Sequence, residues 1–108
     1  MRRAYVHEAT VTMDPGGDER APGAAVTVAL CGHWDHAPPC PLAAHHTAAT
    51  RDGADVRLRV LFAAEPADEA EVRARIGDAL AARWRLRSSG PAVLREDEAD
   101  HAERLVSG

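Results

Sequence analysis

The sequence contains no lysine, asparagine or glutamine, and it has a single isoleucine, Ile76. All 13 basic residues are therefore arginine. The codons of lysine, asparagine and isoleucine are rich in A and T, so their scarcity indicates a very GC-rich bacterial genome. The lack of lysine then needs no functional explanation.

Aromatic residues are scarce as well. They make up 4% of the 108 residues, and much of the 45% hydrophobic fraction is alanine, which buries little area per residue. A chain of this length forms one small domain with a modest core, so we predict a single domain over residues 1–108. Such a small core benefits from additional stabilisation, either by a bound metal ion or by formation of a homo-oligomer.

Long apolar runs and concentrated basic charge are also missing. No run reaches the length of a membrane span, and no apolar stretch follows Arg2 and Arg3 as it would in a secretory signal. The net charge is −4, and no segment combines arginines with aromatic residues. These absences predict a cytoplasmic protein that binds neither a membrane nor nucleic acid. In that compartment, cysteines are normally kept as free thiols.

Alternation of apolar and polar residues predicts three strands, over residues 4–13, 24–31 and 54–64. The first strand carries His7 on its apolar side, where a histidine is more often a satisfied core residue than a ligand. The third pattern is the clearest of the three.

Two helices are predicted in the second half of the chain. The first opens at Glu65 and Pro66, since proline is favoured in the first turn of a helix. Its apolar residues repeat every four positions: Val72, Ile76, Leu80 and Trp84. A short strand over 84–88 and a second helix over 96–106 follow. The expected fold class is α+β: a small antiparallel sheet of three to four strands with one or two helices packed on one face.

Residues 31–50 form a Cys/His-rich segment in which the regular pattern is lost. Prolines 38, 39 and 41 stiffen this part of the backbone. The chain has eight Cys and His residues in all, and six of them fall within this segment, where a random scatter would place roughly one. The six are Cys31, His33, His36, Cys40, His45 and His46.

This clustering predicts a transition-metal site, because thiolate and imidazole are the ligands favoured by zinc and copper. A set of two cysteines and two histidines suits tetrahedral zinc, so zinc is the first choice and copper the second. Cys31, His33 and Cys40 are the favoured ligands. His45 and His46 point apart in an extended chain, so we expect at most one of them to bind the same ion as Cys31. The surplus histidines are idle, bind a second ion or transfer protons.

The segment has three other interpretations besides metal binding. A disulfide between Cys31 and Cys40 disagrees with a reducing compartment and leaves the histidines unexplained. Each histidine taken singly is typical of a polar surface loop. A cysteine nucleophile activated by a histidine requires only two of the six residues.

The pattern therefore indicates a small metal-binding protein with a structural or ligand-binding role. The alternatives are a small metalloenzyme with an open coordination position and a copper-handling protein. The sequence does not decide whether the protein is an enzyme. It also does not decide whether its partner is a small molecule, another protein or a second copy of the chain.

Overall fold

The structure, a computed structural model, describes residues 1–31, without the side chain of Cys31, and residues 43–107. The described residues form four strands and three helices, and short 3₁₀ turns precede the second and third helices. In chain order the elements are β1 (Arg3–Thr12), α1 (Ala21–Cys31), β2 (Ala44–Asp52), β3 (Asp55–Ala64), α2 (Glu69–Ala81), β4 (Arg85–Ala92) and α3 (Ala99–Ser107).

The four strands form one sheet with the order β2-β3-β1-β4. Every neighbouring pair is antiparallel. The first six elements thus make a split β-α-β arrangement of the ferredoxin-like type, with α3 added at the end. The predicted fold class, an α+β fold with a small antiparallel sheet, is confirmed.

The helices cover both faces of the sheet. On one face, Arg73 of α2 lies over the rings of Tyr5 and Phe62, which are paired residues of β1 and β3. Arg59 is on the other face, where it binds Glu98 just before α3. The core lies between the sheet and the helices α1 and α2. Two helices therefore pack on one face, as predicted, but they are α1 and α2, and the predicted C-terminal helix α3 packs on the opposite face.

Residues 24–31 are a helix, so the strand predicted there is wrong. Val26 and Leu30 are fully buried, at 0% and 1% exposure, but Val28 between them is 46% exposed. Alternation would have placed all three on one side, whereas a helix places only residues four apart together. α1 contains no charged residue. A short apolar run of this kind has the same pattern in a buried helix and in a strand.

Strand β2 was not predicted, because residues 44–52 lack any alternation of apolar and polar side chains. It is an edge strand that pairs only with β3, and most of its residues are exposed. An edge strand buries little, so it needs no apolar face. The other predicted elements are present within a few residues of their expected ends.

Gly53 begins the two-residue turn between β2 and β3 and has φ +62°. A positive φ at this first position fits a type II′ turn, which favours glycine. We expect Gly53→Ala to lower the free energy of unfolding by about 1–2 kcal/mol, because a side chain strains this backbone. Urea denaturation measures the change. Gly16→Ala is the control, since a Cβ there meets nothing within 4 Å and no positive φ is involved. Equal stability of the two variants would contradict this account of the turn.

Candidate functional site

The Cys/His segment begins at the end of one helix and ends in an edge strand. Cys31 is the last residue of α1, and β2 starts at Ala44. Three predicted ligands, His33, His36 and Cys40, lie outside the described residues. Asp35, the acidic residue within the segment, also lies outside them. His45 and His46 are described in full.

His45 is on the face of the sheet that carries α1. Its Nδ1 lies 3.2 Å from the carbonyl oxygen of Ala43, and its Nε2 lies 3.1 Å from Oγ1 of Thr27 in α1. A carbonyl oxygen only accepts hydrogen bonds, so this contact assigns the ring proton to Nδ1. Nε2 then accepts a hydrogen bond from the Thr27 hydroxyl. This hydroxyl has a single proton, for which the carbonyl oxygen of Gly23, 3.2 Å from Oγ1, competes.

His46 is on the opposite face of the same strand. Its ring centre lies 4.5 Å from that of His101 in α3, and the two planes are inclined by 52°. Partial desolvation of the ring, and then the charge of His101, lower the pKa of His46. The expectation that the two histidines point apart is confirmed, since one contacts α1 and the other α3. His101 is partly covered by this contact.

A groove of about 530 Å³ runs between α1 and β2 beside His45. Its lining includes charged, polar and small residues: Glu19, Arg20, Gly23, Ala24, Thr27, His45 and Thr47. Oγ1 of Thr47 is buried and has no hydrogen-bond partner among the described residues. The groove therefore offers room and polar groups for a small molecule next to the imidazole of His45.

Within residues 1–31 and 43–107, no three His, Cys, Asp or Glu side chains are grouped closely enough to hold a metal ion. Asp52 and Asp55, the acidic residues that follow the segment, lie at the far end of the β2–β3 hairpin. Asp52 is seven positions along the strand from His45, a distance of roughly 20 Å. Neither carboxylate reaches the ring of His45.

A buried polar cluster on β1 could not be seen in the sequence. His7 is 3% exposed, and its Nε2 lies 2.7 Å from Oγ of Ser89 on β4. Nη1 of Arg73 lies 3.0 Å from Nδ1 of His7 and 2.9 Å from the carbonyl of Val6. Because a guanidinium only donates, Nδ1 must accept and Nε2 must carry the ring proton.

This tautomer decides the chemistry of the pair formed by His7 and Ser89. The proton on Nε2 points at the hydroxyl, so His7 does not act as a base toward Ser89. Burial, and then the charge of Arg73, lower the pKa of His7 to about 4. His7 is therefore a neutral, satisfied core residue, as expected. It is two strands away from β2 and takes no part in the Cys/His site.

The chain matches no model of a known protein family and no curated protein sequence. Its ferredoxin-like topology hosts many unrelated functions and does not by itself indicate one. None of the helices among the described residues is long and apolar enough to cross a membrane.

Proposed function

We propose that the chain binds one transition-metal ion, zinc first and copper second, through its Cys/His segment, and that His45 is the ligand contributed by the sheet. One observation carries the proposal: the ring of His45 is fixed by the Ala43 carbonyl with Nε2 directed at α1, the helix that ends at Cys31.

The orientation of His45 is that of a prepared metal ligand. Histidines that bind a metal through one nitrogen usually donate the other N–H to a carbonyl or carboxylate, which fixes the tautomer and the ring plane. The contact between Nδ1 and Ala43 has this form. Nε2 contacts the Thr27 hydroxyl, and a bound ion would replace this contact after rotation of the Thr27 side chain.

The position of Cys31 supports the same site. Thr27 and Cys31 are four residues apart on α1, so they lie on the same helix face, one turn from each other. Since His45 contacts Thr27, the sheet ligand and the helix end are neighbours in space.

The remaining ligands come from His33, His36 and Cys40. Together with Cys31 and His45, two of these complete a tetrahedral set that suits zinc, or a smaller set that suits copper(I). His46 is separated from this set by the sheet. A bound ion would tie the end of α1 to the edge strand, which gives it a structural or ligand-binding role.

The groove beside His45 favours a second candidate, a metalloenzyme with one coordination position open to a small molecule. The hydroxyl of Thr27 would then contact that molecule. A visible spectrum of the cobalt-substituted protein that changes on addition of azide supports this candidate, and an unchanged spectrum removes it. A copper-handling protein predicts instead an ion that passes to a chelator without unfolding of the chain.

Elemental analysis of protein purified under reducing conditions and desalted extensively tests the proposal. We expect about one zinc or copper ion per chain, and we expect Cys31→Ser and His45→Ala to lose it because each removes a ligand. His46→Ala is the matched control, since it removes the neighbouring histidine from the opposite face and should retain the ion. Wild-type protein without metal after expression in supplemented medium, or equal metal content in His45→Ala and His46→Ala, would overturn the proposal.

A further inference from the structure

The pair formed by His46 and His101 has no role in the centre proposed above. The two rings come from strand β2 and helix α3 and meet on the face of the sheet opposite to α1 and His45. We propose that this pair is a second site for a divalent transition-metal ion, exchangeable with solvent, which fastens the C-terminal helix to the edge of the sheet.

The spacing of the rings suits two ligands of one ion. A ring centre lies about 3 Å from an ion that its nitrogen binds at about 2.1 Å. Two centres 4.5 Å apart therefore subtend roughly 90° at a shared ion. That angle is normal for neighbouring ligands in octahedral coordination, and small rotations of the side chains open it toward the tetrahedral value.

The electrostatics of the pair also favour an ion. Two protonated rings at this distance repel each other, and two neutral rings carry no charges that would attract each other. An ion that binds one nitrogen of each ring forms two bonds to neutral imidazole, which is a favoured ligand of zinc, copper and nickel.

The site is expected to exchange its ion readily. No third His, Cys, Asp or Glu is grouped with the two rings in the described part of the chain, so water completes the coordination. His46 itself is an exposed residue of an edge strand. An ion at this position is therefore lost on desalting, in contrast to the ion of the proposed Cys/His centre.

Titration of the desalted protein with zinc chloride tests the proposal, followed by calorimetry and by the imidazole resonances in ¹H–¹⁵N NMR spectra. We expect uptake of an additional ion during which the rings of His46 and His101 shift together. His101→Phe keeps a ring against His46 but removes the nitrogen ligands. Its affinity for the additional ion should fall by at least about tenfold, because the chelate is lost.

The neighbouring histidine separates this site from the Cys/His centre. His45→Ala should keep the additional ion, and His101→Phe should keep the tightly bound ion if that centre exists. The site on α3 is therefore tested whether or not the Cys/His centre holds a metal. Unchanged binding in His101→Phe, or no shift of the two rings on zinc addition, would overturn the proposal.

Discussion

Replacing Arg59 with methionine should lower the free energy of unfolding by about 2–3 kcal/mol. Nε and Nη2 of Arg59 donate to the two carboxylate oxygens of Glu98 at 2.7 and 2.6 Å. Nη1 donates to Glu8 at 2.8 Å, and Nη2 also donates to the carbonyl of Val93 at 2.7 Å. One side chain on β3 thus holds a carboxylate of β1 and the segment that leads into α3.

The expected loss of stability is large because the side chains of this ion pair are shielded from solvent. Those of Arg59 and Glu98 are only 12% and 16% exposed. Hydrogen bonds from Arg59 are the main cause that lowers the pKa of Glu98 to about 2. Without the guanidinium, Glu8 and Glu98 would remain as two carboxylates near each other with no shared cation. Their residual contact with water keeps the expected loss below that of a fully buried pair.

Arg57→Met is the matched control for this substitution. Arg57 precedes Arg59 by two residues on the same face of β3 and is exposed. Its replacement should change the stability by no more than about 0.5 kcal/mol. Urea denaturation of both variants gives the comparison, and the amide exchange of α3 should increase only in Arg59→Met. Equal stability of the two variants would show that Arg59 does not anchor α3.

The sequence was sufficient where burial imposes a clear period. Val72, Ile76 and Leu80 are all fully buried in α2, and the alternating residues of β3 line the core as predicted. The pattern of apolar and polar residues did not predict α1 or β2, and the reasons were opposite. α1 is apolar on all sides and shows no stripe, whereas β2 lies at an edge and shows no apolar face.

The candidate site was predictable in composition but only partly in geometry. The density of Cys and His residues marks the segment, and the opposite directions of His45 and His46 follow from the period of an extended strand. The partners of these rings could not be predicted, because Thr27 and His101 reach them only through the packing of α1 and α3 against the sheet. The interactions of His7 with Ser89 and Arg73 are hidden for the same reason, since they depend on the order of the strands.

Lowering the pH from 7 to 4 should reduce the free energy of unfolding by about 2–3 kcal/mol through His7 alone. The pKa of His7 is lowered from 6.5 to about 4 in the folded chain. Between these two values the unfolded chain binds a proton at His7 and the folded chain does not, so stability falls as the pH falls. Well above pH 6.5 both states are neutral at this position, and the contribution is constant.

His7→Gln isolates this effect, because glutamine keeps one acceptor for Arg73 and one donor for Ser89 but does not titrate. Urea denaturation at pH 7, 5.5 and 4 should show a smaller loss of stability in His7→Gln than in the wild type. His101→Gln is the control, since it removes a partly exposed histidine from α3 and should keep most of the pH dependence. If His7→Gln and the wild type lost the same stability between pH 7 and 4, His7 would have to be protonated without disturbing its contacts. The tautomer assigned to it, and the exclusion of a base beside Ser89, would then both fail.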